Sequence, residues 1–260
     1  MDDVLARIYA DKAEVLARDM ARESYEVVRE RAHASIATRR PFLAALRRQA
    51  GASIVAEIKR ASPSAGLIAR AFDPVAIARR YTQAGADAIS VLTETEHFLG
   101  DLGYLQAVRD VTHLPLLRKD FLSAPYQVAQ SAAYGADCIL LIVAGLDDAT
   151  LSSCMNEARI YDLDVLVEVH DRDELERAVR VGATLIGVNN RNLRTMTTDL
   201  ATSEHLIPLM PQGVFAISES GMRSIDDLRR LRQVGAQGFL VGEALMRSGD
   251  PVALIGTLKS

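Results

Sequence analysis

The sequence predicts an α/β fold: a TIM-type (β/α)8 barrel with an N-terminal helical extension. Three observations carry this. Four glycine-led triplets, Gly85-Ala86-Asp87, Gly135-Ala136-Asp137, Gly182-Ala183-Thr184 and Gly235-Ala236-Gln237, recur at about 50-residue spacing. Each closes an amphipathic helical stretch and opens an apolar run, as a helix-ending glycine before a buried parallel strand does. Further apolar runs fall midway between them, so eight strands alternate with helices over roughly 210 residues. The chain has 260 residues, a length that barrels commonly use as one domain. A doubly wound open sheet is the alternative, because periodicity alone does not establish closure.

In chain order, residues 3 to about 32 read as one charged helix, with Val4, Leu5, Ile8, Tyr9, Val15 and Leu16 at helical spacing. Arg39-Arg40-Pro41 interrupts the pattern, and residues 42–46 start a short second helix with proline in its first turn. Residues 1–50 therefore form an extension packed on the main body, within one domain spanning 1–260. The eight strands are expected at 54–59, 88–92, 116–119, 138–143, 165–169, 185–188, 214–218 and 238–241.

Composition narrows the function. A hydrophobic fraction of 49% and a charged fraction of 25% fit a soluble globular protein. A net charge of −4 argues against general affinity for nucleic acid. No apolar run approaches the ~20 residues of a membrane span. The acidic start Met1-Asp2-Asp3 has no apolar core of a signal peptide, and Cys138 and Cys154 match no metal or redox spacing. A cytoplasmic protein is expected, with no nucleic-acid or membrane partner.

In a barrel the active site lies at the carboxyl ends of the strands. Polar residues gather there: Glu57 and Lys59 on the first strand, Lys119 and Asp120 on the third, Glu168 and His170 on the fifth. The sixth offers Asn189, Asn190 and Arg191, and the seventh Ser218, Glu219, Ser220 and Gly221. The two-residue period places Glu57 with Lys59, Lys119 with Phe121, Glu168 with His170, and Asn189 with Arg191 on common faces. Any one of these could be a strand-end cap, and Glu57–Lys59 a plain ion pair. Together, at the same end of successive strands, they suggest a site. Ser218-Glu219-Ser220-Gly221 leads into a helix near Ser224, and Gly242 starts another. Such glycines and helix N-termini suit a phosphate dianion, with Arg191 placed to add a charged contact. Glu168 and His170 lack a second histidine at another strand end, so no metal is expected, and no nucleotide-cofactor motif appears.

The motif Glu57-Ile-Lys59-Arg-Ala-Ser62-Pro63-Ser64-Ala-Gly66 resembles the first strand of the indole-3-glycerol phosphate synthase family. Thr93-Glu94 with Phe98 and Gly100, Lys119-Asp-Phe121, Glu168-Val-His170, Asn189-Asn-Arg191, Ser218-Glu-Ser220-Gly221 and Gly242-Glu243-Ala-Leu-Met246 continue the resemblance in order along the chain. Asn192 departs from an expected Asp, and Leu99-Gly100-Asp101 from a usual Gly-Ser ending. The resemblance implies a cofactor-free carbon–carbon lyase of tryptophan biosynthesis acting on a small phosphorylated substrate, as a monomer or weak homo-oligomer. It implies Lys119, Glu168, Lys59, Glu57 and Asn189 as the catalytic set, the division of acid roles between the two lysines staying open. Ser62, Arg191, Ser220, Gly221, Gly242 and Glu243 would hold the phosphate. Pro63, Phe98, Phe121 and Leu140 would wall an aromatic ring. A Schiff-base aldolase on one lysine is the competing chemistry. A phosphoribosyl isomerase would need a cysteine at a strand's carboxyl end, and a silent binding subunit would leave the charged set without work.

Overall fold

The computed structural model describes residues 3–48 and 51–259. Eight parallel strands close into a barrel: β1 (Ser53–Ile58), β2 (Ala88–Leu92), β3 (Leu116–Lys119), β4 (Cys138–Ile142), β5 (Asp164–Val169), β6 (Leu185–Asn189), β7 (Phe215–Glu219) and β8 (Gly238–Val241). Each strand pairs with its neighbours in sequence, and β8 returns to β1 with Ser53 opposite Gly238 and Ala56 opposite Val241. Closure excludes the open-sheet alternative. The four repeat glycines, 85, 135, 182 and 235, all sit at φ between 78 and 105°, the left-handed residue that ends each preceding helix.

Two apolar layers follow from strand alternation. Val55, Leu117, Leu140, Leu166, Leu185, Ile217 and Leu240 fill the barrel interior, while Ile54, Ile89, Leu116, Ile139, Val167 and Phe239 face the surrounding helices. Phe42 and Leu46 of α3 (Phe42–Arg47) join the interior layer, as do Leu5 and Ile8 of α1 (Val4–Arg22).

The extension departs from the single helix expected over residues 3–32. It is two helices, α1 and α2 (Tyr25–Ser35), separated by Glu23 and Ser24 in extended conformation. Ser24 explains the break, because its hydroxyl accepts from the Val27 N–H and starts a new helix. Pro41 lies one residue before α3 rather than inside its first turn. Tyr25 packs on Tyr126 of α4 (Pro125–Ala133) with ring centroids 5.9 Å apart. Residues 1, 2, 49 and 50 of the expected extension lie outside the described residues.

Lys12 of α1 is buried against Asp120, with Nζ 2.9 Å from Oδ1 and 3.0 Å from Oδ2. Asp120 also accepts from Thr93 Oγ1 at 2.6 Å, Arg118 Nη2 at 2.9 Å and the Phe121 N–H at 2.8 Å. Burial alone would raise this carboxyl's pKa, but Lys12 and Arg118 outweigh it and hold Asp120 far below the usual carboxylate range. Asp120, read from sequence as a strand-end polar residue, thus joins the extension to the barrel. No helix among the described residues is long and apolar enough to cross a membrane.

Candidate active site

The interior alternation that buries Val55, Leu117, Leu166 and Ile217 continues for one or two more residues at the strand ends, where the side chains become charged. It brings Glu57 and Lys59, then Lys119 and Phe121, then Glu168, then Glu219, to the barrel axis. They line a cavity of about 350 Å³. Every residue that the sequence nominated for catalysis, phosphate binding or ring packing lines this cavity. Glu57, Lys59, Lys119, Glu168 and Asn189 meet at its floor, and Ser62, Arg191, Ser220, Gly221, Gly242 and Glu243 occupy one side. Pro63, Phe98, Phe121 and Leu140 also contribute, with Leu5 and Ile8 arriving from α1.

The floor is a chain of alternating charges. Lys119 Nζ lies 3.0 Å from Glu168 Oε2 and 3.5 Å from Glu219 Oε2, and Lys59 Nζ lies 2.5 Å from Glu57 Oε1. Asn189 Nδ2 donates to Glu168 Oε1 at 3.0 Å, and Asn189 Oδ1 accepts from the Arg191 N–H at 3.0 Å. Register explains the meeting: Glu168 sits opposite Gly187, and Asn189 opposite Glu219.

Burial and charge set the protonation pattern. Burial pulls the Lys119 pKa down, but Glu168, Glu219 and Glu57 outweigh it, so the group stays an ammonium beyond the usual lysine range. Burial pushes Glu168 up, but Lys119, His170 and Asn189 outweigh it and hold this carboxyl far down, ionised. Glu219 goes the other way: burial and the neighbouring Glu168 and Glu57 exceed the pull of Lys119 and raise it. Neither Glu219 oxygen has a hydrogen-bond partner among the described residues. Two carboxyl groups with opposed proton affinities flank one ammonium, the pattern of an acid–base site.

Glu219 was noted in the sequence without a role. The signal was there: Phe215 and Ile217 face the barrel interior, so Glu219 must follow them inward. Its room comes from the next strand, because a Cβ on Gly187 would lie 2.1 Å from Glu219 Oε1.

The surrounding loops are held by local chemistry. Glu94, fully buried, accepts from the N–H groups of Glu96, His97 and Phe98, which fixes the turn carrying Phe98. Phe98 and Phe121 lie 5.8 Å apart at 37°, and Tyr9 of α1 meets Phe121 edge-on at 5.8 Å. After β1 the chain forms a small hairpin, Ala61–Ser62 against Gly66–Leu67. Arg191 reaches across to donate to Ser64 Oγ, and its Nη2 lies 3.9 Å from Glu243 Oε2. Ser220 and Gly221 turn sharply at φ 65° and 86°. Gly242 immediately precedes α5 (Glu243–Arg247), and a Cβ there would strike Glu57 Oε1 at 2.1 Å.

Barrel and cavity together define a (β/α)8 protein with lysines and glutamates paired at the carboxyl ends of its strands. The match to known proteins is consistent with this: the family model described as indole-3-glycerol phosphate synthase covers residues 5–258. A protein of that name from Azospirillum brasilense is 48% identical over 96% of both chains, and one from Laribacter hongkongensis is 48% identical over 99% of both. The chain belongs to the indole-3-glycerol phosphate synthase family and is an enzyme of its carboxy-lyase class. Among solved structures, 3-hexulose-6-phosphate synthase from Salmonella typhimurium superposes with a TM-score of 0.66 at 13% identity, over 80% of this chain and 96% of that one. At that identity the likeness speaks for the barrel alone.

Proposed function

We propose that this site closes 1-(2-carboxyphenylamino)-1-deoxyribulose 5-phosphate to indole-3-glycerol phosphate, with loss of carbon dioxide and water, in tryptophan biosynthesis. The observation that carries the reading is Lys119, an ammonium held between Glu168 and Glu219 at the floor of the cavity.

A ring carbon must attack the ketone, and the oxygen becomes an alkoxide, a stronger base than any lysine amine. Lys119 supplies the proton and stabilises the charge as it forms. Carbon dioxide then leaves from the same ring carbon. Lys59 binds the substrate carboxylate; in the structure Glu57 stands at that ammonium instead. Dehydration needs one group to take a proton from the ring system and another to protonate the departing hydroxyl. Glu168, ionised, suits the first task, with Glu57 in the same cavity. Glu219, which holds a proton readily, suits the second. Asn189 keeps Glu168 aimed and is within the cavity to orient hydroxyls.

For the phosphate, Ser62 and Arg191 offer side-chain donors, and Ser220, Gly221 and Gly242 offer backbone at sharp turns and a helix start. Glu243 contributes through its backbone N–H, since its carboxylate would repel a dianion and is drawn aside by Arg247 at 3.0 Å. Phe98, Phe121, Leu140 and Pro63 wall the anthranilate ring. The reaction runs on side chains alone, without a bound cofactor.

The test is incubation of the protein with this substrate while following the indole chromophore. Indole-3-glycerol phosphate should accumulate, and folded protein that forms none would end the assignment.

A further inference from the structure

We infer that His170 and Glu174 form a positioning pair behind the cavity that decides which of the two buried carboxylates beside Lys119 stays ionised. The inference rests on the proposed acid–base roles only for its catalytic consequence. Glu168 and Glu219 are both at most 1% exposed and both lie within 3.5 Å of Lys119 Nζ, so the lysine alone does not distinguish them. Their other neighbours do. Glu168 Oε1 lies 3.3 Å from His170 Nε2, on the side away from the lysine contact at Oε2. The opposite ring nitrogen, Nδ1, lies 3.0 Å from Glu174 Oε2, which also accepts the His170 backbone N–H at 2.7 Å. Among the described residues Glu219 pairs with Lys119 and with no second cation.

His170 is outside the cavity wall, so it acts on substrate only through Glu168. Its Nε2 makes no aligned hydrogen bond, so the contact with Glu168 works through charge. A ring with a carboxylate at each nitrogen is an imidazolium. Burial pulls its pKa down, but Glu168 and Glu174 outweigh that and raise it to about 10. The groups facing Glu168 are Lys119 from β3, His170 beyond β5, Glu219 from β7 and the Tyr9 hydroxyl from α1, with Glu57 of β1 acting on Lys119 and Glu219. Those facing His170 are Glu168 and Glu174. Of these, His170 is the cation that belongs to Glu168 and not to Glu219. A proton shared by the carboxylates therefore rests on Glu219, leaving Glu168 free to accept one.

The experiment uses His170→Asn, which keeps a neutral polar group, and Glu174→Gln, which leaves the ring but removes its counter-charge. Carboxyl titration by NMR on protein labelled with ¹³C-glutamate reads the charge directly, and the pH profile of kcat reads its consequence. In His170→Asn the Glu168 carboxyl should titrate roughly one to two pH units higher. The acid limb of kcat should follow it, with KM within about twofold and activity recovering at higher pH. Glu174→Gln should shift both the same way by less, and it carries the test if His170→Asn does not fold. An unmoved Glu168 titration in folded variants overturns the inference. A shifted titration with an unmoved limb upholds the charge assignment and defeats the reading of Glu168 as the base. A loss of kcat equal at all pH values, with titration unchanged, would show that His170 serves structure alone.

Discussion

In the proposed reaction Lys119 is the acid, and its surroundings forbid the neutral amine. An ammonium between two buried carboxylates is protonated throughout the neutral range, as the proposed protonation of the alkoxide requires. Replacing Lys119 by Met, of similar length, should lower kcat roughly 10²–10⁴-fold with a much smaller change in KM, measured by indole formation. Retention of wild-type turnover would remove Lys119 from the acid's role. Most of this site was legible because strand parity is a rigid rule: Glu57 with Lys59 and Asn189 with Arg191 fall on one face whatever the details. The Glu57–Lys59 contact shows both readings at once, an ion pair and a cavity wall. What the sequence did not rank was Glu219, since its importance lies in a buried carboxylate without a hydrogen-bond partner and in the space left by Gly187. Those depend on neighbours brought together only by the closed barrel.

At the scale of elements, each charged side chain of the cavity floor is set by a strand end and tuned by the loop beyond it. Gly242 shows how narrow the tolerance is. It immediately precedes α5, yet its missing side chain leaves room for the Glu57 carboxylate, which would sit 2.1 Å from an added Cβ, with Lys59 Nζ at 3.1 Å. Gly242→Ala should therefore displace the Glu57–Lys59 pair, and kcat/KM should fall roughly 10²-fold, the scale of a 1 Å misplacement. Kinetics equal to wild type would mean that the pair does not need this geometry. Strands and repeat helices were readable because apolar runs and helix-ending glycines are local signals. The break at Ser24 and the hairpin at 61–67 were not read. A single capping hydroxyl decides the first, and a two-residue pairing too short for any periodicity forms the second.

Across the whole molecule, extension and barrel meet at Lys12 and Asp120. Lys12→Met would leave Asp120 buried with Arg118 as its remaining cation, at a cost of about 3 kcal/mol, measurable by urea unfolding. A smaller change, below about 1 kcal/mol, would show that Arg118 suffices. The same burial of charge makes stability depend on pH from both sides, and the signs can be assigned group by group. Asp120 and Glu168 have depressed pKa values, so their stabilisation is present above their ordinary values of 3.8 and 4.5 and fades as pH falls below them. His170 is raised from 6.5 to about 10, so its contribution is complete below 6.5 and is lost as pH rises towards 10. Glu219 is raised as well, and for a carboxyl held protonated by burial, rising pH above its ordinary 4.5 costs stability. The acid and alkaline losses meet at a maximum near pH 4.5, well below neutrality. Melting temperature should therefore fall steadily from pH 6.5 to 10 in the wild-type protein. In His170→Asn, where one of the two alkaline terms is gone, the fall should be shallower, while the acid side keeps the Asp120 contribution. Calorimetric scans of the two proteins across that range decide it: equal alkaline slopes would mean that His170 enters the folded state uncharged.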